Sequence, residues 1–193
     1  MHRLSPIFAF GYHGCDKTVA ERLLSGEDFK PSQNDYDWLG PGIYFWEANP
    51  RRGYEYAEEL SKVKRRPTIR SPTVIGAVIE LGLCLDLTTS TGIQQVRDAH
   101  KHLGEISERA GWTLPKNSKD LLQRNLDCAV IRLLHEIRME ADEPPIDTVK
   151  GIFVEGDEIY PGSGFYDKTH VQICVSNPES IKAVFRVHPR YLA

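Results

Sequence analysis

The chain has 193 residues, 24 basic side chains against 27 acidic ones, and a formal net charge of -3. With 40% hydrophobic and 26% charged residues, it has the composition of an ordinary globular protein, and residues 1–193 read as one domain. No apolar run reaches the roughly 18 residues of a membrane span, and the mild overall acidity argues against a whole-molecule binder of nucleic acid or membrane.

The N-terminal MHRLSPIFAFGYHG carries one early Arg and a short apolar patch broken by Pro6, with no small-residue cleavage site after it; it does not read as a secretory signal. PIFAFGYHG is expected to be a strand ending in a turn at Gly14. A helix over TVAERLLS follows, capped by Asp16 or Thr18, with Val19, Ala20, Leu23 and Leu24 on one face and Gly26 as its stop. KPSQNDYDWLGPG is a polar loop, GIYFW a short buried strand, and Pro50 opens a helix through RRGYEYAEELSKVK. TVIGAVIELGLCLDLTT is the strongest strand signal, divided at Gly82. GIQQVRDAHKHLGEISERAG and NSKDLLQRNLDCAVIRLLHEIRME read as helices, the second from Leu122, Leu126, Ala129, Leu133 and Ile137 at helical spacing. GIFVEGD is a strand, IYPGSGFYDKT an irregular loop, and THVQICVSN and SIKAVFRV two closing strands. Strands at both ends with helices between them fit an α+β fold.

The four cysteines, Cys15, Cys84, Cys128 and Cys174, lie far apart at irregular intervals without a Cys-x-x-Cys pair. That spacing argues against a zinc site or a disulfide framework and suits reduced thiols in a cytoplasmic protein. Cys84 and Cys174 sit in apolar strands; Cys15, after His13-Gly14, is expected to be more exposed. His100 and His102, two apart on a helix, face different ways, so no metal site is expected.

Three short segments can carry chemistry. His13-Gly14 at the end of a strand places an imidazole at a cleft edge beside a backbone that a ligand can approach. Gly40-Pro41-Gly42-Ile43-Tyr44-Phe45 leads two glycines into an aromatic strand, and Tyr54-Glu55-Tyr56-Ala57 puts aromatic rings on the following helix. Each alone is equally a packing motif. Their combination and order, over residues 7 to 57, resembles the ADP-ribosyltransferase superfamily in its diphtheria-toxin and poly(ADP-ribose) polymerase-like branch, and the later strands extend the match more weakly.

The resemblance implies an α+β split β-sandwich with flanking helices, and a His, a Tyr and usually a Glu on three strands around NAD as the ADP-ribose donor. It implies that His13 holds the adenosine-side ribose, that Gly14 offers its backbone to the nicotinamide amide, and that Tyr44 and Tyr56 wall the nicotinamide slot. At the third position this chain departs from the pattern. The equivalent strand start carries Gln172, with Asp167 and Glu179 as nearby alternatives. A Gln can accept a ribose hydrogen bond but supplies neither negative charge nor a base. Transfer of a single ADP-ribose is therefore expected rather than chain elongation, with NAD hydrolysis or silent NAD or ADP-ribose binding as alternatives.

Lys62, Lys64, Arg65, Arg66 and Arg70, with Arg51 and Arg52 upstream, form a basic run beside the expected cleft. It suits phosphates of RNA or DNA, an acidic protein, or only solvent. Small bacterial members of the superfamily are often toxins or anti-phage effectors, which implies a neutralising antitoxin or another regulatory protein as a further partner.

Overall fold

The computed structural model describes residues 8–63 and 69–192. Lys64, Arg65 and Arg66 of the basic run lie outside the described residues.

The first strand, β1, spans Phe8–Asp16 and runs straight through His13 and Gly14 instead of turning there. It feeds α1 (Lys17–Leu24), whose N-cap is the Asp16 carboxylate, accepting from Thr18 N–H. A long loop leads to β2 (Ile43–Glu47), and Asn49 caps α2 (Pro50–Ser61), with Pro50 in its first turn. Next come β3 (Pro72–Glu80), β4 (Cys84–Asp86), α3 (Ser90–Ala110) and α4 (Asn125–Glu140). The strands β5 (Thr148–Phe153), β6 (His170–Val175) and β7 (Ile181–Arg186) close the fold.

The helix expected from residue 117 begins only at Asn125. Leu121 has a positive φ of 57°, and the Asn117 carboxamide oxygen accepts from the backbone N–H of Leu126, so Asn117 caps the helix from outside it. Cys15 is buried, against expectation, because strand alternation turns it into a cluster with Ala20, Leu23 and Ile75. All four thiols are free.

The fold is α+β, with one open seven-stranded sheet in the order β4-β5-β6-β2-β1-β3-β7 and four α-helices among the described residues. Neighbours are antiparallel except β4 and β5. The two closing strands do not pair with each other; β6 sits between β5 and β2, while β7 is the far edge. Alternation divides the core between two faces. Ile43, Phe45, Ile79, Ile173 and Val175 fill one side, whereas Leu85, Val149 and Cys174 meet Ile131 and Leu134 of α4 on the other.

The seam between β1 and β2 differs from the rest. The β1–β3 ladder holds for nine residue pairs, but β1 and β2 pair only at Gly11↔Glu47 and Tyr12↔Trp46. Beyond Tyr12 the strands part. Ser32 then takes the vacated edge of β2, donating to Gly42 O at 2.7 Å and accepting from Gly42 N–H at 3.0 Å. No helix of the described residues is long and apolar enough to cross a membrane.

Candidate functional site

A cleft of about 460 Å³ opens where β1 and β2 separate, and His13, Gly14, Tyr44, Tyr56 and Gln172 all line it. They come from β1, β2, α2 and β6, so three adjacent strands and one helix converge there.

His13 is held by the opening of the ladder itself. If the β1–β2 register continued, Gly14 would face Tyr44. Instead the Tyr44 carbonyl accepts from His13 Nδ1 at 2.9 Å. A carbonyl only accepts, so Nδ1 carries the proton and Nε2 presents a lone pair. Burial pushes the imidazole pKa below its usual value, with the Tyr44 bond partly opposing, so the neutral ring is favoured.

The same opening brings the buried Gly14 backbone to the wall of the cleft. Ala48 N–H donates to Phe10 O across the β1–β2 edge, and the two-residue alternation of a strand aims the N–H and C=O of Tyr12 and Gly14 at that edge too. At Gly14 the β2 ladder has already ended. Its missing side chain serves packing, because a Cβ there would run into the carbonyl of Gly53 on α2.

Tyr44 presents its ring and not its hydroxyl. The hydroxyl donates to Gly40 O at 2.8 Å and accepts from Leu39 N–H at 3.0 Å, which ties it into the loop before β2. Burial pushes its pKa well above the usual phenol range. Tyr56 packs against Trp46, ring centroids 4.9 Å apart, and burial raises its pKa as well.

Gln172 faces the cleft on the sheet face it shares with Tyr44 and Trp46. Its Oε1 accepts from Trp38 Nε1 at 2.6 Å. Because an indole N–H only donates, this bond orients the amide and leaves its NH₂ for other partners. The cross-strand neighbour of Gln172 is Gly151, and a Cβ there would lie 2.6 Å from the Trp38 ring. The glycine makes room for the indole that holds the glutamine.

The two alternative acids do not line the cleft. Asp167 accepts from Asp157 N–H within the β5–β6 loop, and Glu179 lies exposed in the turn after Asn177. Lys62 and Arg70 are exposed and also outside the lining, while Lys30 is part of it. Arg52, grouped by sequence with the basic run, is in fact buried at 4% exposure and pairs with Glu155 at 2.9 Å.

Other lining residues escape sequence reasoning, among them Phe153, Glu155 and His170. Phe153 and His170 stack with centroids 5.5 Å apart, and Arg124 lies 4.4 Å from the Phe153 centroid. His170 Nδ1 donates to Lys168 O at 2.6 Å, which leaves Nε2 as a buried acceptor without a partner. A hint was available in the alternation of GIFVEGD, which puts Phe153 and Glu155 on one side of the strand. Among the described residues, no group of three or more His, Cys, Asp or Glu side chains could hold a metal ion.

The chain is 50% identical over 192 residues to an uncharacterized protein of Methanocaldococcus jannaschii, covering 89% of this chain and 83% of the other, and it belongs to that protein's family. No family model matches the chain. No solved structure matches it either.

Proposed function

We propose that the chain is an NAD-dependent mono-ADP-ribosyltransferase of the ADP-ribosyltransferase superfamily, with NAD as donor substrate and His13, Tyr44 and Gln172 in the His, Tyr and third positions. The observation that carries this reading is the convergence of His13, Gly14, Tyr44, Tyr56 and Gln172 on one cleft at the opened β1–β2 seam. The cleft volume is within the roughly 300–1,000 Å³ of small-molecule sites.

The chemistry of the lining fits the donor. Adjacent N–H and C=O groups of Gly14 complement a primary carboxamide, which needs one acceptor and one donor. The rings of Tyr44 and Tyr56 suit a flat heterocycle. His13 Nε2, an acceptor by tautomer, suits a ribose hydroxyl. In this reading the nicotinamide–ribose bond breaks with its electron pair leaving on nicotinamide, and an oxocarbenium-like ribose is captured by the acceptor. RNA or DNA is the favoured acceptor over protein, on the strength of the basic run from Lys62 to Arg70.

A second reading, a silent NAD- or ADP-ribose-binding module, is favoured by one observation: Gln172 has its oxygen occupied by Trp38 and no carboxylate replaces it at that position. Incubating the protein with NAD and following nicotinamide release separates the readings. A transferase releases nicotinamide faster when RNA is added, a glycohydrolase releases it at full rate in water, and a silent module binds NAD without release. His13→Ala should lower release roughly 10- to 100-fold, the worth of about 1–3 kcal/mol for a buried hydrogen-bonding group. An unchanged rate would remove His13 from the site.

A further inference from the structure

Two carboxylates line the cleft, Asp37 and Glu155. Both oxygens of Asp37 are used in its own loop, one accepting from Asn34 N–H at 2.9 Å and the other from Asn34 Nδ2 at 3.4 Å. Glu155 is held differently. Its Oε2 accepts from Arg52 Nη2 at 2.9 Å, while Oε1 has no protein partner among the described residues and is not among the buried atoms.

The anchor is unusually committed. Arg52 is a buried cation whose Nη2 also reaches Glu59 at 3.4 Å, and whose Nε and Nη1 are buried without a partner among the described residues. Burying a guanidinium is costly unless a carboxylate compensates it, and Arg52 is itself part of the cleft lining. Glu59 is shared with Lys168, at 3.0 Å. The Lys168 ammonium also interacts with Glu155, as do Tyr56 on α2 and His170 on β6.

Glu155 also stands on the right face. The β5–β6 register sets Gly151 opposite Gln172 and Phe153 opposite His170, and Lys168 N–H donates to Glu155 O at 3.2 Å. The extended chain carries this alternation two residues past the end of β5, which puts Glu155 on the cleft side with Gln172, about 13 Å along the chain from Gly151. That separation leaves room for a ribose and an attacking group between the two side chains.

We propose that Glu155, anchored through Oε2 by Arg52, is the general base for the acceptor, supplying from the segment just past β5 the carboxylate that β6 lacks at Gln172. This inference rests on the transferase reading above. An acceptor hydroxyl or amine forms its bond to the ribose C1′ as the bond to nicotinamide breaks. Nicotinamide departs neutral with the electron pair, and the acceptor's proton passes to Glu155 Oε1 and then to solvent. An acceptor with a dissociable proton, water included, is thus the substrate class this geometry serves.

The test uses the full chain, NAD, and water as the acceptor, with kcat and KM measured separately. Glu155→Gln keeps an oxygen for Arg52, so the fold and NAD binding should persist, with KM little changed and kcat reduced about 100-fold or more, the usual worth of a positioned base. Glu155→Ala should regain release when formate is added, because the small carboxylate can occupy the vacated place. A Glu155→Gln protein with wild-type kcat overturns the proposal. So does a Glu155→Ala protein that formate fails to rescue, since the residue then only holds Arg52. A wild-type protein that releases no nicotinamide either in water or with added RNA overturns the transferase reading and this inference with it, whereas release that survives Glu155→Gln overturns this inference alone.

Discussion

At the scale of single residues, the site depends on side chains whose orientation is set by groups that can only donate or only accept. The Tyr44 carbonyl selects the His13 tautomer, and the Trp38 indole selects the way the Gln172 amide points. Gln172→Glu would keep the Trp38 bond, now to a carboxylate, and place a negative charge where the proposed transferase would hold the donor ribose. The expected outcome is faster nicotinamide release and use of poorer nucleophiles, read by product analysis with a sugar hydroxyl as acceptor; no change in rate or acceptor removes Gln172 from the third position. Gly14→Ala is expected to act through packing. The new methyl meets the Gly53 carbonyl, so α2 must shift, at a cost of about 1–3 kcal/mol in urea denaturation. The pairing of His13, Gly14, Tyr44 and Tyr56 was legible in the sequence because all four fall within the first third of the chain, in fixed order. Arg52 and Glu155 were not, because they are 103 residues apart and charge alone assigned Arg52 to a solvated run.

At the scale of elements, α2 is the piece that brings the second half of the site to the first. It supplies Tyr56 and Arg52, and it packs on β1 through Gly53 against Gly14. Its start is held by Asn49, whose side-chain oxygen accepts from Arg52 N–H at 3.0 Å. Asn49→Ala should cost about 1 kcal/mol of stability by denaturant titration. It should also lower kcat for nicotinamide release more than it raises KM, because the freed N–H belongs to the residue that anchors Glu155. At the C-terminal end of β1, Asp16 caps α1 and accepts from the backbone N–H groups of Arg70 and Ser71, which brings the end of the basic run back to β1. Those bonds hold its carboxyl well below the usual carboxylate range. The local signals for these elements were strong: Pro50, the β-branched run of β3, and Gly111 in the left-handed conformation closing α3. The start of α4 was not, because apolar spacing continues back to Leu122 while the backbone at Leu121 has left the helical region.

At the scale of the whole molecule, three imidazoles share one electrostatic fate. Burial lowers the pKa of His13, His135 and His170. Above the free value of about 6.5 these rings are neutral in both the folded and the unfolded chain. As pH falls below that value the unfolded chain takes up protons that the folded protein resists, so stability must decline. The melting temperature should therefore fall steadily from about pH 6.5 towards the lowered folded-state values, and a flat profile across that window would contradict the burial of these rings. Composition, punctuation and alternation by themselves determined an α+β domain, its element types, and the ordered His-Gly, Gly-Ile-Tyr and Tyr-Ala segments, because each is a local property of neighbouring residues. Tertiary structure alone decided that β6 inserts between β5 and β2, that the β1–β2 ladder breaks after Tyr12, and that the buried Arg52 meets the partly exposed Glu155. Strand order and ion pairing across 103 residues depend on which distant surfaces are desolvated together, and no local pattern carries that information.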